Sequence, residues 1–124
     1  MEMKKNFSLS VEAHKFASEI REEKGNPQEY MQLAQLGMAL GFSDKDHLNI
    51  DKASLKHNIA DTQDILDDGA TVVIYKGLFP EMPEADIWIN IEKAASHGIC
   101  LIKEKYYDKQ DKVIIWHKII KDFF

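Results

Sequence analysis

Ser96, His97 and Cys100 bring a hydroxyl, an imidazole and a thiol into one short segment. A Cys/His nucleophile needs these two groups within hydrogen-bond reach in an open, electropositive site, and Lys103 and Lys105 just downstream would lower a thiol pKa there. Cys100 lies between Ile99 and Leu101, however, and a free cysteine in an apolar run ordinarily packs as a small core residue. The core role is the better reading. His57 and Asp61 stand four apart, a spacing that on a helix would hold a metal or set up an acid/base pair, with Asp64 as a further carboxylate. No third ligand set closes around them, so a plain surface contact is expected. Asp44, Asp46, Asn49 and Asp51 invite a calcium reading. Counted from Asp44, the fifth position is Leu48, the sixth Asn49 and the twelfth Leu55, where an EF-hand loop needs an oxygen ligand, a glycine and a glutamate. These residues are expected to shape turns and cap helices. Neither CxxC, HExxH, GxSxG nor a phosphate-cradling glycine loop occurs. No catalytic residue, metal site or cofactor is assigned, and no enzyme activity is expected.

A second chemistry lies in the C-terminal segment, where Lys103, Lys105, Lys109, Lys112, Lys118 and Lys121 interleave with Tyr106, Tyr107 and Trp116. Basic residues among aromatics can track a nucleic-acid backbone and stack bases. Residues 1–42, 43–92 and 93–124 carry net charges of −1, −7 and +3, and Arg21 is the only arginine. Sequence-reading DNA contacts lean on arginine forks, so at most weak, salt-sensitive nucleic-acid binding is supported. An acidic patch that docks on a basic partner is easier to support, although an acidic middle third is most often simply a solvated surface.

The elements that would position these groups are mostly helical. Ala13, Phe16, Ala17 and Ile20 recur at helical spacing, predicting a helix from Ser8 or Ser10 to Lys24 with a serine N-cap and Gly25 as its stop. His14 is placed beside its polar face. Asn26, Pro27 and Glu29 form a capping-box pattern ahead of a second, largely apolar helix that Gly41 ends, with Phe42 folding back on Leu36. A third helix is expected over Ala53 to Asp68, with Leu55, Ile59 and Thr62 on its apolar stripe. Residues 70–76 are open between strand and buried helix. A central helix should run from Pro83 to Ile102, its small residues Ala94, Ala95 and Gly98 admitting a close neighbour and Gly98 ending it. Beyond it, a last helix capped by Asp111 is favoured over a hairpin within 99–117, and His117 is read as an interface or core histidine.

The length fits one domain, residues 1–124, and 44% hydrophobic residues are enough for an ordinary core without staples. The fold expected is a mainly α, single-domain bundle of about five helices; the alternative is α+β, with a strand at 70–76 and a hairpin at 99–117. A lone cysteine, the lack of a long apolar run and the lack of an apolar segment behind the N-terminal lysines predict a cytoplasmic protein with no membrane contact.

LAQLGMALGF, with Ala39, Leu40, Gly41 and Phe42, followed about fifty residues on by IEKAASHGICLI, with Glu92, Ala94, Ala95, Gly98 and Leu101, resembles the small accessory proteins of DNA phosphorothioate-modification systems. The match covers about a third of the chain and lacks that family's tyrosine and double glycine, His97 standing where a glycine would be. The resemblance implies a non-catalytic helper in a bacterial or phage defence setting, with no active site to carry over. The aromatic total points the same way: Trp88, Tyr106, Tyr107, Trp116, Phe123 and Phe124 are candidate interface anchors for a protein partner or a second copy, with a homodimer expected.

Overall fold

A computed structural model describes residues 6–62 and 69–124. A strand β1 (Asn6–Ser10) leads directly into helix α1 (Val11–Ile20), followed by α2 (Tyr30–Gly41), two short 3-10 turns, and β2 (Leu55–Asp61). Helix α3 (Ala70–Leu78), the long α4 (Ile87–Lys105), a two-residue hairpin of β3 (Tyr107–Asp108) and β4 (Val113–Ile114), and α5 (Trp116–Phe123) complete the chain. The described residues therefore form a mainly α structure with five helices and two small antiparallel sheets.

Helix α4 is the axis. Ile87, Trp88, Ile91, Ala94, Ala95, Ile99 and Ile102 are buried along it, and it packs against α1, α2, α3 and β1. Its most extensive partner is α2, running antiparallel: a side chain on Gly41 would meet the backbone of Ala94, and one on Gly37 that of Ala95. A side chain on Gly98 would strike the Gly37 carbonyl. The predicted close approach at Ala94, Ala95 and Gly98 is thus present, but Gly98 is interior to the helix and does not stop it. Its lack of a side chain serves packing, and the helix continues to Lys105, where the Tyr106 amide closes on the Ile102 carbonyl at 2.9 Å. At the other end Pro83 precedes a 3-10 turn, Glu84–Asp86, and α4 itself begins at Ile87.

The largest departure from the sequence reading is at Leu55–Asp61, expected as the first half of a helix and found as a strand paired antiparallel with β1, Asn6 against Asp61 and Ser10 against Leu55. Its partner lies some fifty residues away, beyond the reach of local periodicity, and Leu55 and Ile59 fit either period. Residues 63–68 of that predicted helix, Asp64 among them, fall outside the described residues. Strand β1 in turn occupies residues expected at the start of α1. It is buried on both faces, with Phe7 and Leu9 in the core, the Ser8 amide donating to Glu92 and the Ser10 amide to Ser96 Oγ at 2.9 Å. Ser10 still caps α1, its Oγ accepting from the Ala13 amide at 3.2 Å.

Asn26 does not cap α2, which starts at Tyr30. It is buried instead, donating to the Ile20 and Lys112 carbonyls and accepting from the Ile114 amide at 2.8 Å, so one amide side chain ties the end of α1 to the C-terminal hairpin. Residues 70–76 are helical, not a strand. In the C-terminal region both alternatives coexist: Asp108 Oδ1 organises the hairpin turn by accepting from Gln110 and Asp111, and the last helix begins at Trp116 without an Asp111 cap.

Candidate protein-docking surface

Helix α3 is anchored to the core through one side. Val72 and Tyr75 are buried, and Phe79 stacks against Tyr75 with 4.8 Å between ring centroids. The Tyr75 hydroxyl meets His47 Nε2 at 2.9 Å, His47 Nδ1 meets the Asp44 carbonyl at 2.7 Å, and Asp44 Oδ2 pairs with His97 Nε2 at 2.9 Å. A carbonyl only accepts, so Nδ1 of His47 carries the proton and Nε2 accepts from the tyrosine. This line of groups joins α3, the loop after α2, and α4. Burial raises the Tyr75 pKa to about 12 and lowers that of His47, while the hydrogen bond from His97 holds the Asp44 carboxyl below the usual range. Each of these contacts links one element to the next, which makes the line a strut between them.

The other side of α3 faces outwards. Val73, Ile74 and Leu78 are 70%, 55% and 52% exposed. Ile74, Leu78 and Thr71 form one wall of a groove of about 520 Å³ whose other wall is Gln35, Met38, Ala39 and Phe42 of α2 and its cap, with Ser43 at the end. Both helices lean on α4, and the gap between them is lined mainly by apolar atoms. Its size is typical of a site that buries a few large side chains. Sequence reading left residues 70–76 open between strand and buried helix and gave them no surface role. The available signal was that, read as a helix, the segment is apolar on two faces, one more than a single core contact needs.

The aromatic residues expected at the surface divide. Trp88 and Tyr106 are buried in the core and are not surface anchors in this chain. Tyr107 and Phe123 are half-buried, packed edge-on against Phe16 and Tyr106 respectively. Trp116 and Phe124 are exposed, with Ile120 between them. All six tail lysines are exposed, and of the three aromatics interleaved with them Trp116 is exposed, Tyr107 is half-buried and Tyr106 is interior, its hydroxyl bound to Asp122 at 2.7 Å, with Lys118 over its ring while donating to the Lys105 carbonyl. The lysines therefore flank no base-stacking platform at this residue.

The groups considered for catalysis are not assembled. His97 engages Asp44, Ser96 engages Ser10, and Cys100 is half-buried with its pKa raised to about 11, chiefly by burial and then by Glu12 and Glu104, against the opposing pull of Lys103. Alkylation by iodoacetamide at pH 8 should accordingly run about a hundredfold slower than for an unperturbed thiol and still be climbing at pH 10. A rate that levels off below pH 8 would restore the nucleophile. His57 and Asp61 share a strand, where four residues span about 13 Å, so they do not converge on an ion. His57 instead stacks on His14 at 4.3 Å, His14 on Tyr30 at 5.0 Å, and Arg21 covers the tyrosine at 4.5 Å. Among the described residues no three His, Cys, Asp or Glu side chains are placed to hold a metal. Asp44 and Asp51 act as the expected caps, accepting from the Asp46 and Ala53 amides, each at 2.9 Å.

No family model, curated protein or solved structure matches the chain. Among the described residues no helix is long and apolar enough to cross a membrane.

Proposed function

We propose that this protein is a non-enzymatic assembly subunit that receives an amphipathic helix of a protein partner in the α2/α3 groove. The uncovered apolar wall formed by Ile74 and Leu78 opposite Met38, Ala39 and Phe42 carries this reading. A groove between two helices is the usual receptor for a helix presenting large apolar residues one turn apart. None of the described residues lining the groove is charged, so the apolar stripe of the partner helix carries the recognition. A single cysteine with an unreactive thiol agrees with work in the reducing cytoplasm. The resemblance to phosphorothioate-system accessory proteins is compatible with the same role. Gly41, Ala94, Ala95 and Gly98, four of the nine residues on which it rests, are packing residues of the α2/α4 contact and would be shared as scaffold.

The test is fluorescence anisotropy with a labelled synthetic helix carrying leucines one turn apart and flanking lysines, beside a short DNA duplex. Saturable peptide binding that persists at high salt, weakened at least about tenfold by Ile74→Glu, is expected, with no specific duplex binding. Duplex binding that collapses as salt rises, without peptide binding, would overturn the proposal in favour of the lysine tail.

A further inference from the structure

His47 is wholly buried on the short 3-10 turn Lys45–Asn49 that follows α2, and α3 docks around it. Its ring stands edge-on to Tyr75 and Phe79, with 5.7 and 5.1 Å between centroids, and Phe42 closes the same cluster against Tyr75 at 5.4 Å. We infer that His47 is an acid-sensitive latch for α3: the helix is docked while the imidazole is neutral, and a proton on Nε2 releases it from a fold that otherwise stays intact. No occupant of the groove is required, although α3 is one of its walls and its release takes the groove apart.

Three observations carry this. The first is the polarity of the hydrogen bonds. Nδ1 donates to the Asp44 carbonyl at 2.7 Å, which leaves Nε2 to accept from the Tyr75 hydroxyl at 2.9 Å. A proton on Nε2 turns that bond round, the imidazolium donating and the hydroxyl accepting, and the hydroxyl hydrogen then needs another acceptor. Tyr75 is wholly buried and, among the described residues, its hydroxyl has no hydrogen-bond partner but His47. The docked state therefore sets a stranded donor and a buried charge against the proton, and undocking relieves both in water. The second is how little else holds α3. Of its nine residues only Val72 and Tyr75 are buried, and its ion pair, Lys76 with Glu84 at 2.9 Å, is exposed and weakly stabilising. So short a helix does not persist alone in water, so α3 frays once it undocks. The third is the charge around the ring. Asp44 on its own turn favours a proton there, His97 and Lys93 of α4 oppose it, and α3 presents Tyr75, which stays neutral. Desolvation outweighs Asp44, so the docked ring titrates below its ordinary 6.5.

Hydrogen exchange followed amide by amide, each rate divided by its unprotected value at the same pH, tests the latch. At pH 7.5 the α3 amides of the wild type should be less protected than those of α4, because α3 opens without global unfolding. Between pH 7.5 and 5 their protection should fall at least about tenfold, within a ceiling of about thirtyfold set by an ordinary histidine pKa of 6.5. His47→Gln cannot titrate, and its α3 protection should be the same at both pH values. A reading on the wild type alone stands beside the variant: at pH 6, where an ordinary histidine is mostly protonated, the nitrogen resonance of His47 Nε2 in the docked protein should remain that of an unprotonated nitrogen. Equal protection of α3 and α4, α3 protection indifferent to pH, the same fall in His47→Gln, or an imidazolium at His47 in the docked protein at pH 6 overturns the inference.

Discussion

Gly98→Ala should destabilise the protein by about 4 kcal/mol and lower its melting temperature by roughly 12–20 °C. The added carbon would collide with the Gly37 carbonyl oxygen and lie 2.5 and 2.6 Å from that residue's carbonyl carbon and Cα. Ordinary overpacking costs about 1–3 kcal/mol because a flexible side chain yields. Here the neighbour is backbone, and relief requires α2 and α4 to move apart along the most extensive contact in the molecule. The control is Gly77→Ala. Gly77 is a residue of α3 where a side chain would meet nothing within 4 Å, so alanine should stabilise by about 0.5–1 kcal/mol through helix propensity. Parallel thermal melts decide the matter, and two variants melting within a degree or two of each other would refute the backbone contact.

His47→Ala is expected to cost about 3–5 kcal/mol, since it opens a void and leaves the buried Tyr75 hydroxyl and the Asp44 carbonyl without their shared partner. The same residue gives stability a pH dependence of defined sign. Burial, the largest influence, lowers the folded-state pKa of His47 below the ordinary 6.5, aided by His97 and opposed by the Asp44 carbonyl. As pH falls below 6.5 the unfolded chain takes up a proton that the folded chain refuses, so stability decreases towards the depressed folded value and is flat above neutrality. His14, lowered by partial burial and by His57, acts in the same direction. His47→Gln keeps hydrogen-bonding atoms but cannot titrate. Its urea midpoint should be lower than wild type at pH 7.5 and should drop less between pH 7.5 and 5. Parallel pH profiles for the two proteins would show that His47 is not the group being titrated.

Helices α1, α2 and α4 were legible because their apolar residues repeat every 3.6 positions and bury one continuous face, a signal local to each segment. What was not legible depended on partners distant in the chain. Nothing near Leu55–Asp61 announces that Asn6–Ser10 will pair with it, and nothing in Thr71–Ile74 says that Tyr75 will find His47 and hold the segment as a helix against its β-branched preference. Asn26 and Gly98 were misread for a related reason. Each residue type has two common uses, cap or buried bridge for asparagine and helix stop or close approach for glycine, and only the neighbour decides which. Counting aromatics gave no way to separate interior Trp88 and Tyr106 from exposed Trp116 and Phe124. The groove was missed because its two walls are thirty-odd residues apart and neither is a site by itself.

The direct backbone contact between α2 and α4 also bears on how this sequence can drift. Where two side chains touch, enlarging one is commonly offset by shrinking the other, and such positions vary together. At Gly37, Gly41 and Gly98 the opposing atoms include main-chain atoms that no substitution removes. Second-site suppressors of a larger residue at these positions should be absent from a mutagenised library, while the exposed faces of α3 and α5 accept broad replacement as far as folding is concerned. A distant relative would accordingly be recognised by three invariantly small positions in two separated helices, against surfaces free to diverge with their partners.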